Sequence, residues 1–168
     1  MSTAYDVAII GGGVMGCAAA FFLKSAGVDR ICVIEPDPTY ARAATPVATG
    51  GCRRLFALPE NIRMSQFSIG FFKDFARHVA VDGHAPDVQW RSGATSSSPG
   101  PCTQRCPGRL DNFYVACGFS GHGLMHAPAV GRALAELVVN GRFETLDLSR
   151  MGYQRVLDGK PYREKGIL

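Results

Sequence analysis

The sequence lacks long blocks of charge and long uninterrupted apolar runs. Charged residues make up 19% of its 168 residues, and no run of lysine and arginine marks a nucleic-acid-binding arm. The 18 basic and 14 acidic residues leave a formal charge of +4, a modest value that identifies no partner by itself. With 46% hydrophobic residues, the composition is that of a single globular domain with a real core.

The most apolar stretch, residues 7–23, predicts neither a signal peptide nor a membrane span. Glycines interrupt it, no basic segment precedes it, and it is shorter than the roughly 20 apolar residues that a span requires. We therefore expect a cytoplasmic protein without a membrane span. In a reducing compartment, the six cysteines are expected to be free thiols and not a disulfide framework.

Three segments near the N-terminus predict a βαβ unit. Residues 6–10 and 30–35 are apolar runs of strand length, and residues 14–26 are predicted to form the helix between them. Gly27 follows that helix as a stop signal. The arrangement predicts an α/β protein with a Rossmann-like βαβ unit and a small parallel sheet.

The turn between the first strand and the helix has G-x-G-x-x-G spacing. Gly11 permits the tight turn, Gly13 lets the backbone approach a pyrophosphate, and Gly16 lets helix and strand pack closely. The helix N-terminus then presents N–H groups and the positive end of its dipole to the phosphates. Glu35 follows about 20 residues later, where a carboxylate accepts hydrogen bonds from an adenosine ribose, which disfavours NADP. A purely structural βαβ turn is the alternative.

Two further helices are predicted downstream. Residues 61–79 have amphipathic spacing, and the expected buried set consists of Ile62, Phe67, Phe71, Phe72 and Phe75. We interpret these phenylalanines as core residues and not as cofactor contacts. Residues 128–140 form the other helix, with a proline at its start and Gly141 as its C-terminal stop.

A second glycine-rich turn, "GFSGHG" at residues 118–123, lies between a predicted strand at 113–117 and the helix at 128–140. Together with the first turn and the segment "GGCRRLFALPEN", it resembles the FAD-dependent D-amino-acid oxidase and sarcosine oxidase superfamily. The resemblance covers residues 5–90 and 110–168 and is nearest to a branch that contains a mitochondrial FAD-dependent oxidoreductase linked to the assembly of respiratory complex I.

The resemblance implies that the cofactor is FAD and assigns contacts to it. Gly11, Gly13 and Gly16 would hold the pyrophosphate and Glu35 the adenosine ribose. The other implied contacts are Arg42 and Ala43 along the phosphates, Gly50, Gly51 and Arg53 near the isoalloxazine ring, and Gly118, Phe119, Ser120, Gly121, His122 and Gly123 at its pyrimidine edge. Arg53 and His122 are the candidate catalytic residues. The alternatives are a solvated Arg53 and a His122 that only hydrogen-bonds within its turn.

The activity implied is the transfer of a hydride to FAD from the carbon beside a secondary or tertiary amine, in an amine or amino-acid substrate. Phe56 and Met125 depart from the family pattern, since relatives carry an arginine and a lysine there. Recognition of an amino-acid carboxylate is therefore expected to be weaker. Two alternatives remain open: a non-catalytic dinucleotide-binding or assembly module, and a zinc site built from Cys102, Cys106, His122 and His126. We predict no metal.

Residues 92–109 contain one alanine and no other aliphatic or aromatic side chain, so they cannot bury a face. We predict a flexible linker that joins an N-terminal FAD-binding part, residues 1–91, to a C-terminal part, residues 110–168. Family members carry their substrate domain here, so the resemblance implies that this domain is largely absent and that turnover is impaired. Our hypothesis is an internal deletion that left a frameshifted scar.

The linker is expected to let strand 113–117 return beside strand 6–10 in the same sheet. An apolar sheet face left open by the missing domain would favour self-association or an assembly partner.

Overall fold

The structure, a computed structural model, describes residues 4–86, 102–105 and 112–163, with only the backbone of residues 102–105. Its elements in chain order are strand β1 (Val7–Ile10), helix α1 (Val14–Ser25), strand β2 (Ile31–Ile34), helices α2 (Pro59–Lys73) and α3 (Phe75–Val79), strands β3 (Cys102–Arg105) and β4 (Tyr114–Cys117), helix α4 (Gly123–Asn140), a 3₁₀ turn (Ser149–Met151) and helix α5 (Gln154–Leu157).

The predicted βαβ unit is confirmed. Strands β1 and β2 are parallel, with Val7 opposite Ile31 and Ile10 opposite Ile34. The ladder continues into the turn, where the Gly11 N–H donates to the Ile34 carbonyl at 2.8 Å. Helix α1 makes the crossover between the strands, so the N-terminal part is the α/β arrangement expected from its periodicity.

Helix α4 packs directly along α1. A Cβ atom at Gly131 would lie 2.5 Å from the carbonyl carbon of Ala18, so a side chain there would separate the two helix backbones. Met15 lies beside Gly123 near the first turns of the helices, and Ala18 lies beside Gly131 further along. The two helices therefore run in the same direction, and their N-termini are at the same end of the molecule.

Helix α4 begins at Gly123 and not at Pro128, so its predicted start was wrong. Pro128 is buried inside the helix and has no N–H to donate. The next donor, the Ala129 N–H, is accepted by the Ser68 hydroxyl of α2 at 3.3 Å. Since a neighbouring side chain accepts this donor and packing buries the ring, the helix continues through the proline.

The predicted buried face of the helix at 61–79 was also wrong. The buried residues of α2 are mostly small or polar: Glu60, Asn61, Met64, Ser65 and Ser68. This face packs on α4, where the close approach of two helices favours small side chains. The residues predicted to be buried are half-buried instead. Their phenylalanine rings meet those of α1, with 5.5 Å between the ring centroids of Phe22 and Phe71.

We expected strand β4 to join the sheet of β1, and this prediction was wrong. Strand β4 pairs with β3 in antiparallel fashion, with Cys102 opposite Cys117, and a groove separates it from β1. Antiparallel pairing needs only a short connection, and β3 and β4 are near neighbours in sequence. Strand β3 lies inside the stretch predicted as a linker; the remainder of residues 92–109 lies outside the described residues.

The main core lies between α2, α4 and the segment that follows α4. It consists of Met64, Ala129, Val130, Ala133, Leu146, Leu148 and Met151. Leu148 and Met64 are completely buried, so residues 141–151 cover one side of the α2–α4 pair. Within the part of the chain that the structure describes, no helix has both the length and the apolar character to cross a membrane.

Candidate functional site

The first glycine turn exposes bare backbone at the N-terminus of α1. Gly11 has a φ of +100°, a conformation that favours glycine, and Gly13 is the N-cap residue without a side-chain hydrogen bond to the helix. A Cβ atom at Gly16 would lie 1.8 Å from the Gly11 carbonyl oxygen. The first turn of α1 carries no acidic side chain, so no charge within the helix neutralises the positive end of its dipole.

The loop after β2 folds over this turn. The Glu35 carboxylate accepts the Gly12 N–H at 2.7 Å, and the Tyr40 hydroxyl donates to the Gly12 carbonyl at 3.2 Å. The Val14 N–H donates to the Thr45 hydroxyl at 3.0 Å. Tyr40 and Thr45 were not predicted as site residues, because a small polar loop has no periodicity that would indicate which of its side chains turn inward.

The predicted phosphate and ring contacts after β2 lie in the same loop. The side chain of Arg42 is exposed, and Ala43 is half-buried with its N–H donated to the Tyr40 carbonyl at 3.1 Å. Gly50 has a φ of +72° and Gly51 is half-buried. These residues thus lie in the loop that follows β2, between the part that covers the first glycine turn and Arg53.

The second glycine turn meets the first turn at the common end of α1 and α4. Gly118, Ser120 and Gly121 all have left-handed backbone, with φ values of +75°, +48° and +85°. A Cβ atom at Gly123 would lie 3.5 Å from the Phe119 side chain and 3.7 Å from that of Met15, the second residue of α1. Two turns that are far apart in sequence therefore lie at the same end of the α1–α4 pair.

The two candidate catalytic residues are in contact. Nη2 of Arg53 touches Nε2 of His122, which is buried at the N-cap of α4. A guanidinium group can only donate, so Nε2 of His122 accepts and the ring proton lies on Nδ1. The Phe56 ring packs edge-on against His122 with 5.1 Å between centroids, and the Arg53 guanidinium lies 5.5 Å from the centroid of that ring.

His126 completes this cluster and is missing from the set of predicted FAD contacts. It is fully buried, and its Nε2 lies 2.9 Å from the Ser65 hydroxyl. Burial, and after it the neighbouring His122 and Arg53, lowers the pKa of His126 to about 3, so the ring is neutral. Its spacing of four residues from His122 was a signal, since it places both rings on one side of the first turn of α4.

Phe56 and Met125, the two departures from the family pattern, are both buried in this cluster. The Ser65 hydroxyl donates to the Met125 sulfur at 3.7 Å, and the centroid of the Phe56 ring lies 5.1 Å from that of His122 and 5.3 Å from that of His126. Both positions are therefore apolar packing against the histidines. The charge of the cluster is that of Arg53.

The zinc alternative receives no support from this geometry. Nε2 of His122 is in contact with Arg53 and Nε2 of His126 with Ser65. Among the residues that the structure describes, no group of three or more histidine, cysteine or acidic side chains could hold a metal ion. Cys106 lies outside those residues, and only the backbone of Cys102 is described. The four described cysteines, Cys17, Cys32, Cys52 and Cys117, are free thiols.

Comparison with known proteins identifies relatives of the N-terminal part. Residues 6–97 match the family described as "DAO: FAD dependent oxidoreductase". The protein called FAD-dependent oxidoreductase domain-containing protein 1 is 46% identical over 80 residues in Xenopus laevis, covering 45% of this chain and 16% of that protein. The protein of the same name in Bos taurus is 42% identical over 90 residues, covering 51% and 18%.

A homologue in Drosophila melanogaster is 45% identical over 79 residues, or 46% of this chain and 15% of the homologue. The matched part thus spans less than a fifth of the length of these relatives. No solved structure matches the chain significantly.

Proposed function

The chain belongs to the family of FAD-dependent oxidoreductases, whose cofactor is FAD, and we propose that it binds FAD in the crevice between its two glycine turns. The observation that carries this proposal is that both turns lie at the common N-terminal end of α1 and α4, where Gly123 approaches Met15. FAD needs a diphosphate site and a separate site for its ring, and the two turns offer bare backbone for each.

The residues around the first turn suit the adenosine and diphosphate half of FAD. Gly11 and Gly13 leave open backbone at the start of α1, and a Cβ at Gly13 would intrude toward the Thr45 hydroxyl at 3.0 Å. Glu35 is held beside the turn by the Gly12 N–H, in the place where a ribose hydroxyl would reach it. Arg42 and Ala43 extend this surface along the phosphates.

The second turn and the Arg53 cluster suit the ring. We assign residues 118–123 to the pyrimidine edge, where the N-terminus of α4 and the Arg53 guanidinium both favour the negative charge of reduced flavin. His122 orients Arg53 by accepting from its Nη2. Gly50 and Gly51 approach the ring from the loop after β2. His126 is neutral and packs against Phe56, so Arg53 is the cation that this cluster offers to the flavin.

We further propose that the activity is amine oxidation. The substrate would lose a hydride from the carbon beside a secondary or tertiary amine to FAD, and water would hydrolyse the resulting iminium ion to an amine and a carbonyl compound. Phe56 and Met125 replace the two cations of the family pattern, so the expected substrate carries no carboxylate that needs a double clamp. A non-catalytic dinucleotide-binding module is the second candidate, because the matched part is a small fraction of the relatives' length.

The test is a pair of glycine substitutions. Gly13→Ala places a methyl group where the diphosphate would approach, whereas Gly70→Ala in α2 meets nothing within 4 Å. After incubation with FAD and gel filtration, we expect the native chain and Gly70→Ala to keep the visible absorption of oxidised flavin and Gly13→Ala to lose most of it, while thermal unfolding shows that all three proteins are folded.

Equal retention of flavin by all three proteins, or by none, would contradict the proposed site. If flavin is retained, its bleaching without oxygen by a secondary amine that lacks a carboxylate would separate catalysis from binding alone. The deletion hypothesis and the cytoplasmic location remain predictions.

A further inference from the structure

A groove of about 610 Å³ runs between β1 and β4. Residues 6–10 form one wall and residues 112–116 the other. All four residues of β1 and the first three residues of β4 line the groove, and not every second residue, so the walls are strand edges and not sheet faces. Its floor comes from α1 and α4 and is apolar: Met15, Ala19, Leu23, Leu134 and Val138.

The wall formed by β1 carries backbone groups that point away from β2. The N–H groups of Val7 and Gly11 donate to Arg30 and Ile34 in and beside β2, at 3.2 and 2.8 Å. Since successive residues of a parallel strand alternate between the two edges, Ala8 and Ile10 direct their N–H and C=O groups into the groove. Among the described strands, none pairs with this edge.

These groups define the chemistry of an occupant. Among the described residues that line the groove, Asp6 is the one that carries a charge, and it pairs with Arg30 at 2.5 Å. A molecule that binds in the groove must therefore offer a row of backbone donors and acceptors, and uncharged side chains that face the floor. Lipids and neutral rings offer no such row, whereas an extended peptide does. In a doubly wound sheet the first strand is internal and has a neighbour on each edge.

We propose that the groove binds an extended segment of another protein, which enters as a strand between β1 and β4 and runs parallel to β1. The segment carries aliphatic side chains at every second position. A strand placed between two walls needs two free edges. Each described strand of this chain already uses one edge in a ladder, so a second copy would have to break a pair to enter.

Two proline substitutions test the proposal. Ala8→Pro removes a donor that faces the groove, and Val33→Pro removes one from the outer edge of β2; neither donor belongs to the β1–β2 ladder. The probe is a fluorescein-labelled synthetic peptide of seven alternating valine and threonine residues. Its control has the same sequence with every second backbone nitrogen methylated.

We expect the native chain and Val33→Pro to bind the probe, measured by fluorescence anisotropy, and Ala8→Pro to bind it about tenfold more weakly because a hydrogen bond is lost. The methylated peptide should not bind. Hydrogen exchange at the amides of Ala8 and Ile10 should slow when the probe is added, and exchange at Val33 should not. The methylated control requires no variant, so the test holds even if Ala8→Pro fails to fold.

Binding of both peptides alike, no binding of the probe, or slower exchange at Val33 alone would overturn the proposal. The proposal would also be overturned if the chain formed a dimer that Ala8→Pro dissociates and the probe did not bind. The groove would then be occupied by a second copy of the chain. None of these measurements depends on FAD, so failure here leaves the proposed function intact.

Discussion

The two glycine turns are held in shape by different kinds of contact. The first turn follows a strand in a parallel ladder, and a close backbone contact between Gly16 and Gly11 fixes its shape. The second turn follows a strand whose partner, among the described strands, is its neighbour in sequence, and a buried side-chain cluster around His122 and His126 supports this turn. The first is therefore determined by local spacing, and the second by contacts between distant segments.

The largest effect should come from Gly16→Ala. Its methyl group would lie 1.8 Å from the Gly11 carbonyl oxygen, and backbone atoms cannot move aside as a flexible side chain can. We expect a loss of about 3 kcal/mol in the free energy of unfolding, together with loss of FAD binding. Urea denaturation measures the first and absorption of retained flavin the second. A variant as stable as the native chain would show that the first turn is not held by this contact.

The next effect concerns the cluster beneath the second turn and appears with pH. The folded pKa of His126 is lowered to about 3 from an ordinary value of 6.5. Between pH 3 and pH 6.5, His126 therefore binds a proton in the unfolded chain but not in the folded chain. Stability from this residue is therefore complete above pH 6.5 and falls by roughly 1.4 kcal/mol per pH unit below it.

The matched variant is His126→Gln, which can keep a hydrogen bond to Ser65 but cannot titrate. Urea denaturation of both proteins from pH 7.5 to 5 should show a steeper loss of stability for the native chain. Parallel slopes would mean that His126 is protonated in the folded state, and the account of the cluster would be wrong.

The smallest effect should come from Gly123→Ala at the start of α4. Its methyl group would find ordinary contact distances of 3.5 to 3.8 Å to Phe119 and Met15. We expect a gain of about 0.5 kcal/mol, because alanine loses less backbone freedom than glycine on entering a helix. Thermal unfolding beside Gly16→Ala measures the contrast. If both glycine substitutions were equally damaging, the two turns would not differ in the way described.

The sequence predicted the first region well and the second less well. Glycine spacing and strand periodicity were enough to predict the βαβ unit that contains Gly11, Gly13, Gly16 and Glu35, whereas the contacts of these residues with FAD stay predictions. The start of α4 was predicted wrongly, because proline is a common helix-start signal and the Ser68 hydroxyl that accepts the Ala129 N–H belongs to another helix.

Tertiary contacts explain the other differences. The buried face of α2 is small and polar because α4 approaches it closely, and helical periodicity selects the larger phenylalanines instead. Arg53 and His122 are in contact, although the sequence around neither residue indicates that contact. The resemblance named both residues, and neither pattern nor propensity could have paired them.

The contact between Gly131 and Ala18 has a consequence for how a cofactor would bind. With no side chain between them, the backbones of α1 and α4 can neither approach further nor rotate past each other without separating. The distance between the two helix starts is thus set when the chain folds. An incoming dinucleotide would find both ends of its crevice already spaced, and little ordering entropy would remain to be lost on association.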